Sequence, residues 1–291
     1  MASAKDLKKK IQSVSNTKKI TRTMEMVSAA KAKQTQGRVE ANTPYSQKLS
    51  ELLEGLCAGA NVQHHLLEEP EGVQRNALLV VSANRGLCGG YNTNLVSMAE
   101  RWIDTQRREG RETDISMAGK KGIARFRFKK IPVHAQYTHL EDYPSFREAE
   151  EFAVGFMERF RNREVSQVWV VSTRYYSAAV QRSTLTQLLP IVPPVRSEEN
   201  RERSIQTDFI FEPDPKSILE TLLPFSVSQL VYRLLVEAAA SEQIARRMAM
   251  KLATDNAEEL TKTYTRKYNR QRQAGITQQI MEIVAGAEAL D

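Results

Sequence analysis

A chain of 291 residues with 41% hydrophobic content and a formal charge of +7 carries enough material for one or two domains with a core. Its composition is not that of a disordered protein, and no apolar run approaches the roughly 18 to 20 residues of a membrane span. Two cysteines, Cys57 and Cys88, form no CxxC, which excludes a disulfide framework or cysteine-built zinc module and fits a reducing compartment; the charged start "MASAKDLKKKIQSVSN" lacks the apolar stretch of a secretory signal.

Residues 1–57 read as a coiled-coil helix. Leu7, Ile11 and Val14 step by four and three, and Ile20, Met24 and Val27 repeat the step, a narrow apolar stripe at helical spacing. Lys18, Thr21 and Ser28 interrupt that stripe, and small residues such as Ala29, Ala30 and Ala32 permit close helix approach. Thr43-Pro44 predicts a kink or a fresh helix start, since proline suits a first helical turn. "YSQKLSELLEGL" continues a helix to about Leu56.

The middle part, 76–208, alternates strand and helix signals. "ALLVVSA" is a strand, "TNLVSMAERWIDTQRR" a helix and "TDISMAG" a second strand. "KKGIARFRFKK" and "SFREAEEFAVGFMERFRNR" are helical; "SQVWVVSTRY" and "AAVQRSTLTQLLPI" are strands. That order predicts a largely parallel α/β layer resembling half of a Rossmann fold.

The third part, 212–291, begins helically at "DPKSILETLL" and has no proline from Phe225 onward. Leu230, Leu234 and Ala238 share a face, as do Ile244, Met248 and Leu252, and later Ile276, Ile280, Ile283 and Val284. Fully helical, Phe225 to Asp291 would span about 100 Å. A helix that long needs a partner, so an antiparallel coiled coil closed by the two ends of the chain is expected. Arg270, Arg272, Gln273, Thr277, Gln278 and Gln279 interrupt its stripe. Polar seam positions cost stability; a free, exposed helix end is the plain alternative.

The glycine turn "SANRGLCGGYN", Ser82 to Asn92, sits between a strand and a helix, where many proteins cradle a phosphate. It is neither G-x-G-x-x-G nor a Walker motif, and "GKKG" is too short to be one. Backbone demands explain its glycines. His64, His65, His134 and His139 show no metal-ligand spacing, no G-x-S-x-G is present, and Cys88 reads as a small buried hydrophobe. No catalytic residue, cofactor or metal site is expected.

Charge is uneven. Ten Lys or Arg against Asp6 and Glu25 lie between Lys5 and Arg38, and Arg246 to Arg272 is also basic. Such segments suit nucleic acid, anionic lipid or an acidic protein surface, or form solvated helix faces. A nucleic-acid-binding coiled coil with an α/β head is therefore the alternative function, although few aromatics accompany the basic residues for base stacking. A small nucleotide-binding enzyme is a third reading, which turnover by the isolated chain would reveal.

The segments "IQSVSNTKKITRTMEMVSAAK", "RGLCGGYN", "FEPDPKSILETLLP", "EAAASEQIARRMAMKLATDNAEEL" and "YNRQRQAGITQQIMEIVAGAEAL" together resemble the gamma subunit of bacterial-type F-type ATP synthases, in the family's order and over essentially the whole chain. The resemblance implies a non-catalytic rotor. Its terminal helices form a coiled-coil shaft inside a ring of three alpha and three beta subunits. Its α/β domain forms a foot on the epsilon subunit and the c-subunit ring, peripheral to the cytoplasmic face of the inner membrane. It further implies that Met24 meets an acidic loop of a beta subunit, and that Arg272, Gln273 and Thr277 lie near the catch of the upper shaft. Lys18, Lys19 and Arg22 are added as basic residues facing acidic stator loops, with Arg85 and Glu212 as foot contacts. Gln279 stands where the family's Ile-Thr-x-Glu signature carries glutamate; the amide keeps the shape and removes the charge. The inserted cysteine pair of photosynthetic relatives has no counterpart here.

Overall fold

The computed structural model describes residues 4–59, 64–192 and 215–288. Ten elements follow in chain order: helix α1 (Ala4–Gly59), strand β1 (Arg75–Val81), α2 (Tyr91–Arg108), β2 (Glu112–Ala118), α3 (Lys120–Phe128), β3 (Ala135–Tyr137), α4 (Phe146–Arg161), β4 (Gln167–Tyr175), β5 (Gln181–Leu189) and α5 (Pro215–Glu288). Contacts group them into two compact units, Met1–Ala29 with Arg246–Asp291, and Ala30–Ala245.

In the smaller unit the ends of α1 and α5 pair antiparallel. Lys10 lies over Tyr264, Lys18 meets Glu258, and Thr254 donates to Thr21, so the index on α5 falls as that on α1 rises. The inward side of α1 runs Leu7, Ile11, Val14, Lys18, Thr21, Glu25, Ser28, alternating steps of four and three, the seam repeat of a coiled coil.

This seam corrects the sequence expectation. The triads Leu7–Ile11–Val14 and Ile20–Met24–Val27 are offset by thirteen residues, one short of two heptads, and one residue turns a helix by about 100°. Ile20 is accordingly 61% exposed and Val27 is exposed as well, while Thr21 and Ser28 are buried seam residues rather than interruptions. On α5, likewise, Met248 and Leu252 face outward and Met250, Thr254 and Ala257 inward. From Asn269 to Gly286 every residue of α5 is exposed. The register brings α5 opposite the start of α1 by Tyr268, so Arg270, Arg272 and Gln273 interrupt no seam. Among the described residues α1 faces α5 no farther.

In the larger unit the same repeat continues on α1 through Ala32, Thr35, Val39, Asn42, Ser46, Leu49, Leu53 and Leu56. Its polar positions are satisfied in two ways: across the pair the Gln229 amide donates to Asn42 Oδ1 at 2.6 Å, and within α1 Thr35 Oγ1 donates back to the carbonyls of Lys31 and Ala32 at 3.0 Å. α1 continues through Pro44, so no fresh helix starts there. Pro44 is on the exposed face, where solvent can satisfy the carbonyl it frees, and Thr43 Oγ1 donates to Val39 O one turn back.

The sheet has the order β3-β2-β1-β4-β5, parallel except for β5, which runs antiparallel to β4. Strand alternation splits the interior into two cores. Ala77, Leu79, Val168 and Val170 face α4 and the helices α1 and α5 through Phe152, Phe156, Leu53, Leu223 and Leu234. Leu78, Val80, Met117 and Val171 face α2 and α3 through Leu95, Ala99, Ile123 and Phe126. α4 starts on a capping box, Ser145 Oγ accepting from Glu148 N–H while the Glu148 carboxylate accepts from Ser145 N–H.

The loop between β3 and α4 ties the long helices to this domain. Asp142 accepts from Lys31 of α1 and, at 3.0 Å, from Gln243 of α5. Arg38 stacks over Tyr143 at 5.0 Å and reaches Pro144 O, and Asn84 of the glycine turn donates to Leu140 O.

Candidate functional site: a filled crevice and exposed helix faces

In doubly wound sheets ligands bind beyond the carboxyl ends of the strands, where the strand order reverses. Here that point lies between β1 and β4, and the glycine turn leaves the end of β1. Helix α5 occupies the place. Tyr91 Oη donates to Ala238 O at 3.3 Å, Ser241 Oγ to Thr173 O at 3.4 Å, and Tyr175 N–H to Glu237 Oε2 at 3.2 Å. A crevice that holds a ligand in many α/β proteins grips a helix of its own chain.

The turn itself is organised by its own hydrogen bonds. Asn92 Oδ1 accepts from Ala83 N–H at 2.9 Å, and the Asn92 amide reaches Cys88 Sγ at 3.1 Å. The first three amides of α3 are engaged internally: Lys120 N–H donates to Asn84 Oδ1, Lys121 N–H to Ala83 O, and Gly122 N–H to Ser82 Oγ, all at 3.0 to 3.1 Å. A phosphate binds a helix N-terminus through such amides; these serve the turn instead. Ser82 Oγ also donates to Ala118 O at 2.7 Å, so this serine joins both βα junctions.

Glu237 is the buried acid of the grip. Arg233 approaches it at 3.6 Å and Arg174 at 4.0 Å. Burial nevertheless holds its carboxyl above the ordinary glutamate range, with Arg233, the Tyr175 amide and Arg174 pulling it down. A carboxyl raised on folding favours the folded state at low pH, and that contribution is lost as pH rises through the raised value. Glu237→Gln is therefore expected to gain stability relative to the parent as pH climbs from the ordinary glutamate value upward, while retaining an acceptor for Tyr175. Thermal melts of the two proteins across pH 4 to 8 check the sign; parallel profiles would show that the carboxyl does not carry the cost.

The residues singled out by sequence and resemblance fall in different settings. Lys18 lies in the α1–α5 seam, 3.0 Å from Glu258, which Lys262 also contacts at 3.1 Å. Both lysines hold the Glu258 carboxyl below the usual range. Arg22 pairs with Glu25 at 3.0 Å; Lys19 is exposed and Met24 half-buried beside the seam. Arg272, Gln273, Thr277 and Gln279 are on the exposed stretch of α5. Arg85 is exposed on the glycine turn, and Glu212 lies outside the described residues. The sequence reading took Thr21 for an interruption and passed over Thr35, Asn42 and Ser46. Their signal was the unbroken three-and-four spacing itself, visible once polarity is ignored. It also passed over Tyr91 and Glu237, whose roles depend on partners more than sixty residues away.

A family model described as ATP synthase matches residues 3–290. Among curated relatives, the ATP synthase gamma chain of Leptospira biflexa is 46% identical over 291 residues, with all of both chains covered. That of Gemmatimonas aurantiaca is 41% identical over 291 residues, covering 100% of this chain and 99% of the relative. The fold matches a chain of the Euglena gracilis mitochondrial ATP synthase (OSCP/F1/c-ring) with a TM-score of 0.70 and 22% identity, over 99% of this chain and 94% of that one. It also matches a chain of the Tetrahymena thermophila mitochondrial ATP synthase, central stalk and c-ring, with a TM-score of 0.59 and 20% identity over 80% of this chain and 99% of that one.

Proposed function

The chain belongs to the ATP synthase gamma chain family, and from that premise we propose how its parts serve as the non-catalytic central-stalk subunit of an F-type ATP synthase. The helix pair turns inside a ring of three alpha and three beta subunits, and the α/β domain meets the epsilon subunit and the c-subunit ring. The nucleotide chemistry belongs to the ring, and this chain passes rotation between the ring and the ion-driven rotor. It sits peripherally, in the cytoplasmic part of the bacterial enzyme. The observation that carries the reading is the grip of the α/β crevice on α5: Tyr91, Thr173 and Tyr175 all bond the Glu237–Ser241 turn. Rotation of the foot can then pass to a shaft helix through buried hydrogen bonds.

Contacts with the ring fall on exposed shaft residues and on the half-buried Met24. Lys19 and Met24 lie on α1, and Arg272, Gln273, Thr277 and Gln279 lie on the exposed stretch of α5, which no described residue of the chain covers. Lys18 and Arg22 reach the ring only by sharing the cations now paired with Glu258 and Glu25. Exposed polar contacts of this kind are worth up to about 1 kcal/mol each and exchange readily, which suits a surface that must move past its neighbours. Arg85 and Glu212 belong with the foot.

Co-purification with a tagged chain tests the function. Three alpha and three beta chains per copy, with ATP hydrolysis in the complex and none in the isolated subunit, is the expected result. A chain that ignores ring subunits and binds duplex or single-stranded nucleic acid with steep salt dependence would replace the rotor reading. Ending the chain after Ala274 tests the exposed stretch. No residue from Gly275 to Gly286 is buried, so the melting temperature of the isolated chain is expected to stay put. Assembly is expected to survive better than after deletion of Arg22 to Ala32. Loss of the isolated fold on the short truncation would contradict that placement.

A further inference from the structure

From Ile115 to Leu140 the chain contains no acidic residue. Within that stretch α3 and the turn after it expose Lys120, Lys121, Arg125, Arg127, Lys129 and Lys130. Only Lys129 meets an acid, Glu100 of α2, at 2.6 Å; among the described residues the other five have no acidic partner. Amid these cations Phe128 is 78% exposed, with the Arg125 guanidinium 5.8 Å from its ring centre. Leu87 of the glycine turn, 60% exposed, lines the same cleft as Lys121, Arg125 and Lys129. The buried side of α3 is Gly122, Ile123 and Phe126, so none of these outward residues is needed for the core.

We propose that the outward face of α3, with Leu87 beside it, is a docking surface for the anionic headgroups of a phospholipid bilayer. The charge on α3 itself is one-signed, unpaired but for Lys129 with Glu100, and built mainly from lysine. Lysine is depleted in specific protein interfaces, where ordering its long side chain is costly and fixed pairing is needed. A fluid headgroup layer needs no fixed pairing, and each cation near an anionic leaflet adds attraction. An exposed aromatic among cations matches an element lying in the interfacial layer, with its ring dipping below the headgroups. Stacked bases on nucleic acid would call for more than one such ring. The surface goes beyond the rotor function and relies on it only for the nearness of a membrane.

Vesicle sedimentation of the full-length chain is the test, using phosphatidylcholine alone and phosphatidylcholine with a minority of phosphatidylglycerol. Binding is expected only to the anionic vesicles and is expected to be lost at high salt. Replacing Lys120, Arg127 and Lys130 together by glutamine is expected to weaken it about 100-fold, and Phe128→Ala about tenfold. Replacing Lys5, Lys8 and Lys9 of α1 by glutamine, an equal loss of charge, is expected to leave most of it. Matching melting curves show that the variants remain folded. Failure of the parent to bind anionic vesicles, or equal losses from the α1 and α3 triple variants, would overturn the proposal. So would stronger retention by a nucleic acid or a poly-glutamate chain than by vesicles at the same salt. The assay contains no ring subunit, so its failure leaves the central-stalk reading untouched.

Discussion

Replacing Gly119 by valine is expected to prevent the α/β domain from folding, and Gly119→Ala to destabilise it by about 3 kcal/mol or more. Gly119 joins β2 to α3 with φ of 97°, and a Cβ there would lie 2.0 Å from Ser82 O and 2.7 Å from Ser82 Oγ. The neighbour is backbone at the end of the central strand. Ser82 cannot retreat, because its N–H donates to Ala118 O at 2.8 Å and its hydroxyl serves both Ala118 O and Gly122 N–H. Two penalties coincide: a backbone conformation open to glycine, and a contact in which the strand must move. Thermal melting of the alanine variant should show a fall of about 6 °C or more for a domain of this size. Gly275→Ala is the counterpart. That glycine is inside a helix with nothing within 4 Å of a new Cβ, so alanine should add about 0.5 to 1 kcal/mol of local helix stability. Equal behaviour of the two variants would show that close approach at Ser82 is not the constraint.

Met24→Lys is expected to uncouple rotation from pumping while leaving the complex assembled. Met24 is half-buried beside the seam, on the part of the shaft proposed to pass an acidic loop of each beta subunit. A lysine there extends a cation past the seam without displacing core atoms. One opposite-charge contact at about 4 Å is worth about 1 kcal/mol at full water screening and about 4 kcal/mol at protein-surface screening. The second figure corresponds to a factor of about 1,000 in escape from the preferred orientation. The shaft would then favour one orientation three times per turn, and work spent leaving it would not reach the membrane rotor. The measurement is the ratio of ATP-driven ion pumping to ATP hydrolysis in the purified complex. A fall in the ratio with subunit stoichiometry intact is expected; parallel loss of both activities with dissociation of the complex would refute the placement of Met24.

The two helices illustrate what spacing can and cannot reveal. A long proline-poor segment at the C-terminus and a periodic one at the N-terminus are enough to require an antiparallel pair, because each would otherwise leave an apolar stripe in water. The face was misread where hydrophobicity and period disagreed. Ile20 and Val27 are apolar yet face outward, and Thr21 and Ser28 are polar yet buried, since a heptad is a geometric repeat and a close helix approach accepts small polar residues.

The sequence by itself determined the membership of the family, the order of strands and helices apart from the three-residue β3, the coiled-coil ends and the lack of a recognisable phosphate motif in the glycine turn. Each rests on local spacing or on quoted segments that keep their meaning in one dimension. Tertiary structure alone decided what fills the crevice between β1 and β4, because Tyr91, Thr173, Tyr175 and Glu237 come together only when α5 is laid against the strand ends. It also decided where α5 loses its partner. That position follows from the register between helices, set by Lys18 with Glu258 and Thr21 with Thr254. Register is a property of two segments more than two hundred residues apart, and no pattern within either one specifies it.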